Sequence, residues 1–278
     1  LKPARRKGEK IMAILMKGIE KGAHWYTRDG VPMHRVMKAD GSGDRATTLK
    51  DARRLGLLPS VTGVIGVLAR PSLESWKMKQ VAQAAMRMPK AETESEEYWV
   101  RRVIEGAFEQ VEEAADVGSS VHAALEAAIA GDAYDEGQWG VYVRPVLDGV
   151  AGLGLAVTAR EKTLVNAGYG FAGTSDLFFT WPDDAPGILD YKTKRTKPGE
   201  KVEAYDEHRL QLAAYAATEY GEDVIGRVRA VNVFVSSTEP GRVEWVYHGD
   251  LTPDWNAFML LCGLWRHLKG YDPRCAGN

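Results

Sequence analysis

Asp176, Asp190 and Lys192 stand inside two apolar, β-like runs, FAGTSDLFFTW (171–181) and GILDYKT (187–193). Charged side chains are rarely placed in a core unless they are paired or bind a metal. On a strand, residues two apart share a face, so Asp190 and Lys192 project together while Leu189 and Tyr191 face the other way. The intervening WPDDAPG has turn composition. The two runs are therefore expected to form an antiparallel hairpin that brings Asp176 beside Asp190. Two carboxylates and an ammonium at one spot suit a hard divalent cation such as Mg2+, with Lys192 orienting the attacking water or stabilising charge on phosphoryl oxygens. A surface hairpin with an exposed Asp–Lys pair is the competing reading of the same spacing.

Other residues bear on that choice. GSSVH (118–122) opens a helix whose apolar face is Val121, Leu125 and Ile129, which puts His122 beside the stripe. His122 reads either as a core histidine or as a nitrogen donor that would make the site tolerant of Mn2+ as well as Mg2+. Glu161, in the run before the hairpin, is either a third carboxylate or an exposed strand acid. Gln211 and Tyr215 are four apart on a helix and share a face, as phosphate or water contacts or as the polar edge of that helix. The basic run KTKRTKPGEK (192–201) offers Lys194, Arg195 and Lys197 to a phosphate backbone, unless it is only a solvated loop. Arg53, Arg54 and the RRK at 5–7 are weaker additions. Trp76, Tyr98 and Trp99 could stack unpaired bases or belong to a helical core. Asp183 and Asp184 are assigned to turn geometry, and His24, His34, His208, His248 and His267 to structural roles.

The elements that must position these residues follow from pattern. Helices are expected at 9–22, twice within 58–86 with Ser60 as a cap and Pro71 in a first turn, and over 92–132 divided at Gly118. Further helices are expected at 206–221 and at 252–270, the latter capped by Thr252. HWYTRDGVPMHRV (24–36) reads as a small hairpin around Asp29-Gly30, and 38–48 as loop. Strands are expected at 157–166, 171–181, 187–193, 228–236 and 241–248. The sum is one α/β unit, with a mainly helical region over 1–117 and a core over 118–278.

Composition narrows the classes. The chain has 278 residues, 27% of them charged, and a net charge of −2, so no global basic field marks it as a nucleic-acid binder. Any polyanion site must be local. Two cysteines, Cys262 and Cys275, are too few for a disulfide framework or a four-cysteine iron–sulfur cluster, and fit a reducing cytoplasm. No run reaches the roughly 20 apolar residues that span a bilayer. The start, LKPARRKGEKIMAILMKGIEK, mimics a signal peptide but is interrupted by Lys17 and reads as an amphipathic helix.

Taken in order, His122, Glu161, GTSD ending at Asp176, ILDYKT with Asp190 and Lys192, and QLAAY from Gln211 to Tyr215 resemble the PD-(D/E)XK nuclease superfamily in its RecB-like branch. That branch joins a helix-borne His to G-x-x-D, D-x-K and Q-x-x-x-Y. PSVT (59–62) with Trp76 downstream is similar to phage-encoded members and to the mitochondrial genome maintenance exonuclease. The resemblance implies a restriction-endonuclease-like α-β-β-β-α-β core with a mixed sheet. It implies Mg2+ or Mn2+ held by His122, Asp176, Asp190 and the Tyr191 carbonyl, with Lys192 assisting the water and Gln211 and Tyr215 supporting the nucleic-acid backbone. The expected activity is exonucleolytic cleavage of DNA, single-stranded by family analogy, in phage or bacterial recombination or repair. A recombination or single-strand-binding protein is an expected partner, and no iron–sulfur cluster is expected because its cysteines are absent. An oligomeric double-strand exonuclease, a structure-selective endonuclease and a non-catalytic binding module on the same fold are the alternatives. Clustered acids, which repel phosphate, speak against the last.

Overall fold

A computed structural model describes residues 24–275. They fall into two compact units, one built from Leu68–Asp116 and the other from residues 24–67 with 117–275. The helix expected at 9–22, with the RRK at 5–7, lies outside the described residues.

The larger unit is organised around a five-stranded sheet. Its strands are β5 (Ala156–Asn166), β6 (Phe171–Thr180), β7 (Pro186–Lys194), β8 (Arg229–Ser236) and β9 (Val243–His248). They lie side by side in chain order, antiparallel except for the parallel β7–β8 pair. A parallel neighbour requires a crossover. Helix α6 (Asp206–Tyr220) supplies it, and α7 (Thr252–Lys269) closes the chain. Preceding the sheet are α4 (Glu96–Ala130), which starts in the smaller unit, and α5 (Glu136–Gly152). The α-β-β-β-α-β order expected of a restriction-endonuclease-like core is therefore present, on a mixed sheet.

Alternation sorts the strands' side chains. Leu189 and Tyr191 of β7, with Val231, Val233 and Val235 of β8, pack with Val121 and Leu125 of α4 and Val143 and Val146 of α5. Elsewhere Phe171 of β6 stacks edge-on against Trp255 and Phe258 of α7, and Phe178 against Tyr220 of α6. Burying each of these large side chains contributes roughly 2 kcal/mol.

Shorter elements complete this unit. β1 (Trp25–Tyr26) pairs with β4 (Leu58–Pro59), and β2 (Arg35–Met37) with β3 (Asp44–Ala46). The Asp29-Gly30 turn forms, but only a single bridge, Tyr26 to Pro32, follows it. The loop expected over 38–48 is present over 38–43 as the turn of a different hairpin, whereas Asp44–Ala46 form its far strand. Helix α1 (Leu49–Leu55) starts at the capping box of Thr48 and Asp51, and α2 (Val61–Ile65) at Ser60, whose side chain accepts from Gly63 N–H. In the smaller unit, α3 (Pro71–Arg87) begins on its proline. Its Ala84 packs with Val103 and Ala107 of α4.

Two expectations need correction. Gly118 does not divide the 92–132 helix; α4 is unbroken from Glu96 to Ala130. The glycine instead allows contact with β7, because a Cβ there would stand 2.6 Å from Thr193 Oγ1. Thr252 is not the cap of α7 but its first residue, and Asp250 Oδ1 accepts its N–H at 2.8 Å. Helix α5 has no clear signature in the sequence, because Pro145 and four glycines obscure its period.

Candidate active site

The β6–β7 hairpin forms as expected, with register running from Thr180↔Pro186 to Leu177↔Leu189. There the ladder stops. Asp176 and Asp190 occupy the next position, where the strands have splayed. Asp176 Oδ2 fills the gap by accepting the Tyr191 backbone N–H at 2.7 Å. Opposite Asp176, the β5 strand is irregular at Glu161, whose φ of 41° is in the left-handed region and strained for a residue with a side chain. Both distortions fall beside the candidate carboxylates.

Asp190 is almost fully buried, at 2% exposure. Lys192 Nζ bonds both its oxygens, Oδ1 at 2.6 Å and Oδ2 at 2.5 Å, as the i, i+2 spacing requires. Asn232, its register partner on β8, donates to Oδ2 at 2.9 Å. His122 reaches the site from α4, with its Nδ1 3.8 Å from Asp176 Oδ2 and its ring edge-on to Tyr191. Val121 and Leu125 are fully buried around it, so His122 borders the apolar stripe as read from sequence.

The electrostatics are those of a crowded acid site. Burial, then the charge of Asp190, pushes the Asp176 carboxyl well above the usual carboxylate range. Glu161 is raised to about 7, first by desolvation and then by Glu126 and Asp190. The Glu161 residue is exposed as a whole, so neighbours crowd its carboxyl rather than its entire surface. His122 is lowered by burial and then by the Lys192 ammonium. Burial raises Tyr191, with Asp176 adding to it.

The remaining residues are placed as follows. Tyr215 is buried, hydrogen-bonded to Gln211, and packed so closely on β6 that a Cβ at Gly173 would stand 2.7 Å from its hydroxyl. The glycine of GTSD thus seats the tyrosine of QLAAY, and of the Gln211–Tyr215 pair only Gln211 is half-exposed. Lys194 lies over the Tyr205 ring at 4.6 Å and donates to the Glu203 carbonyl. Lys197 pairs with Glu200, and Arg195 is exposed. Arg53 donates to the Lys269 carbonyl, at the end of α7. In the smaller unit Trp76 and Tyr98 are exposed, whereas Trp99 packs against the α3–α4 cluster and donates to the Met88 carbonyl. Asp183 sits in the turn and pairs with Arg229.

Two residues near the site escaped the sequence reading, and a third, His208, is read there as structural. Glu126 lies four residues after His122 on α4, a spacing that gave the signal. Asn232 is a lone amide in the apolar run VRAVNVFVS, the same kind of signal that drew attention to Asp190. His208 stacks on Phe234 and is lowered to about 4, chiefly by burial and next by Lys192.

The donor types suit a hard divalent cation: the carboxyls of Asp176 and Glu161, raised first by burial and then by neighbouring acids, and an imidazole kept neutral. Among the described residues, however, no group of three or more His, Cys, Asp or Glu side chains is arranged to hold a metal ion. A cation at Asp190 would have to compete with Lys192 for an oxygen. No helix among the described residues is long and apolar enough to cross a membrane.

No protein-family model and no curated protein matches the chain. Among solved structures, the crystal structure of SSO0001 is similar at 15% identity and a TM-score of 0.33, covering 73% of this chain and 89% of that one. An alkaline exonuclease, LHK-Exo from Laribacter hongkongensis, gives 14% identity and a TM-score of 0.29, covering 71% and 96%. What the site does is read from its own side chains.

Proposed function

We propose that the chain is a Mg2+- or Mn2+-dependent DNA exonuclease that hydrolyses phosphodiester bonds from single-stranded ends, in bacterial or phage recombination or repair. The observation that carries this reading is the splayed end of the β6–β7 hairpin, where Asp176, Asp190 and Lys192 meet. His122, Asp176, Asp190 and the Tyr191 carbonyl would hold the metal. When bound it would supply Lewis acidity and a nucleophilic water.

The chain's own residues do the rest. Lys192 holds Asp190 in the resting site and, once displaced from one oxygen, is an ammonium available to a phosphoryl oxygen. Asp176, tied to the Tyr191 amide, fixes the spacing of the two strands. Glu161, with a value near neutrality, is able to exchange a proton with a leaving group or water at physiological pH. Neutral His122 keeps a nitrogen lone pair for a cation.

The test uses end-labelled linear and closed circular single-stranded DNA, with Mg2+, Mn2+ or EDTA. Mononucleotides or short products from the linear strand, an uncut circle and no activity in EDTA are expected. Cutting of the circle would reassign the chain as an endonuclease, and turnover in EDTA would remove the metal. Lys192→Ala should lose about 100-fold or more in rate with the fold unchanged.

A further inference from the structure

Asn232 is the feature of the sheet that neither core packing nor the proposed chemistry accounts for. It lies in the middle strand of a β7–β8–β9 trio with no exposed surface, flanked along β8 by buried Val231 and Val233. Burying a carboxamide costs free energy unless both its ends are bonded. Here both are. Its Nδ2 donates to Asp190 Oδ2 at 2.9 Å, and its Oδ1 meets His248 Nε2 at 2.8 Å.

The direction of these bonds follows from chemistry. The Asp190 carboxylate only accepts, so the Asn232 amide must present its NH2 to Asp190 and its carbonyl to His248. His248 must then carry its proton on Nε2. Burial, and next the nearby Arg209 guanidinium, keep the His248 ring on the neutral side of its ordinary range. Arg209 is itself fixed to Asp254 of α7. A directed chain therefore runs from β9 through β8 to the carboxylate on β7.

Without the His248 bond, the Asn232 amide has no reason to keep this orientation. Flipped, it would set its carbonyl oxygen against Asp190 Oδ2, and the carboxylate would be held by Lys192 alone. We propose that Asn232 and His248 are positioning residues that set the orientation of the Asp190 carboxylate. The inference rests on the nuclease reading for its consequence in catalysis, but not for its geometry.

The test compares His248→Phe, which keeps a ring and removes the donor, with His248→Gln, whose amide nitrogen can take the place of Nε2. Mn2+ binding to the protein alone, kcat and KM on linear single-stranded DNA, and crystal structures of both variants are measured. His248→Phe should bind Mn2+ about tenfold more weakly and lose about tenfold in kcat, with KM for DNA unchanged. His248→Gln should recover most of both. Asp190 should be turned in the His248→Phe crystal structure and in place in His248→Gln. Asn232→Leu should exceed His248→Phe in effect; if it does not fold, the His248 pair decides.

Equal losses in the two His248 variants, or an unmoved Asp190 in His248→Phe, would overturn the assignment. If the wild-type protein neither binds Mn2+ nor cuts DNA, the nuclease reading fails. The crystal structures alone then decide whether the chain orients Asp190.

Discussion

Asp51, which is buried, and Asp176, which is half-buried, are aspartates of the same larger unit, and the fold treats them in opposite ways. Asp51 takes a bidentate bond from Arg45 at 2.6 and 2.9 Å, with the Thr48 hydroxyl and N–H as further donors. Those donors, Arg45 first, hold its carboxyl far below the usual range. Asp176 accepts from the Tyr191 amide and faces the negative charges of Asp190 and Glu161. Its carboxyl is pushed up instead. A buried acid with a full set of donors supports the helix it caps. One left short of donors among other acids costs stability, and such a cost is tolerated where a charge is meant to be supplied from outside.

The comparison can be broken or sharpened by substitution. Asp51→Ala removes a cap and an ion pair and should cost about 2 kcal/mol in urea unfolding, with cleavage per folded molecule unchanged. Because its value is depressed, this contribution is full above the unfolded carboxylate range and is lost as pH falls below it. Asp176→Asn should do the reverse. It keeps an acceptor for Tyr191 and removes a repelled charge, so without divalent ions it should stabilise by about 1 kcal/mol at pH 8 while abolishing cleavage. A loss of stability there would end the contrast.

Glu161→Gln is a milder case of the same kind. A raised carboxyl destabilises the fold as pH climbs from 4.5 toward its value of about 7. The variant should gain about 0.5 kcal/mol at pH 8 after solvent screening, and the gain should vanish below pH 4.5. A pH-independent difference between 4 and 8 would show that the side chain acts by packing. Asp183→Asn, on the exposed turn pair with Arg229, should leave stability close to that of wild type at every pH. A larger change would mean that the turn acids are not the inert pair they are taken for.

Much of this site was legible because strands impose a period of two. Asp190 and Lys192 had to share a face, WPDDAPG had to turn, and Asp176 had to arrive opposite Asp190. Pattern could not show that the ladder stops at Leu177↔Leu189 or that β5 is irregular at Glu161, since neither follows from alternation along a single strand. Gly118 was misread for a related reason. A glycine in a helical run signals a break when only local propensity is visible, whereas its cause here is Thr193, 75 positions along the chain. Asn232 shows the limit most clearly. Its oddness in an apolar strand was visible, but its purpose required knowing that β8 lies parallel to β7 in the register Asp190↔Asn232.

The most direct measurement is the thermal unfolding midpoint of wild type, Asp176→Asn and Asp190→Asn, each with and without Mn2+ in excess over the protein. If the crowded carboxylates are a cation site, Mn2+ raises the wild-type midpoint and leaves both variants where they were. A wild-type midpoint that ignores Mn2+, or an equal rise in all three proteins, would contradict that account.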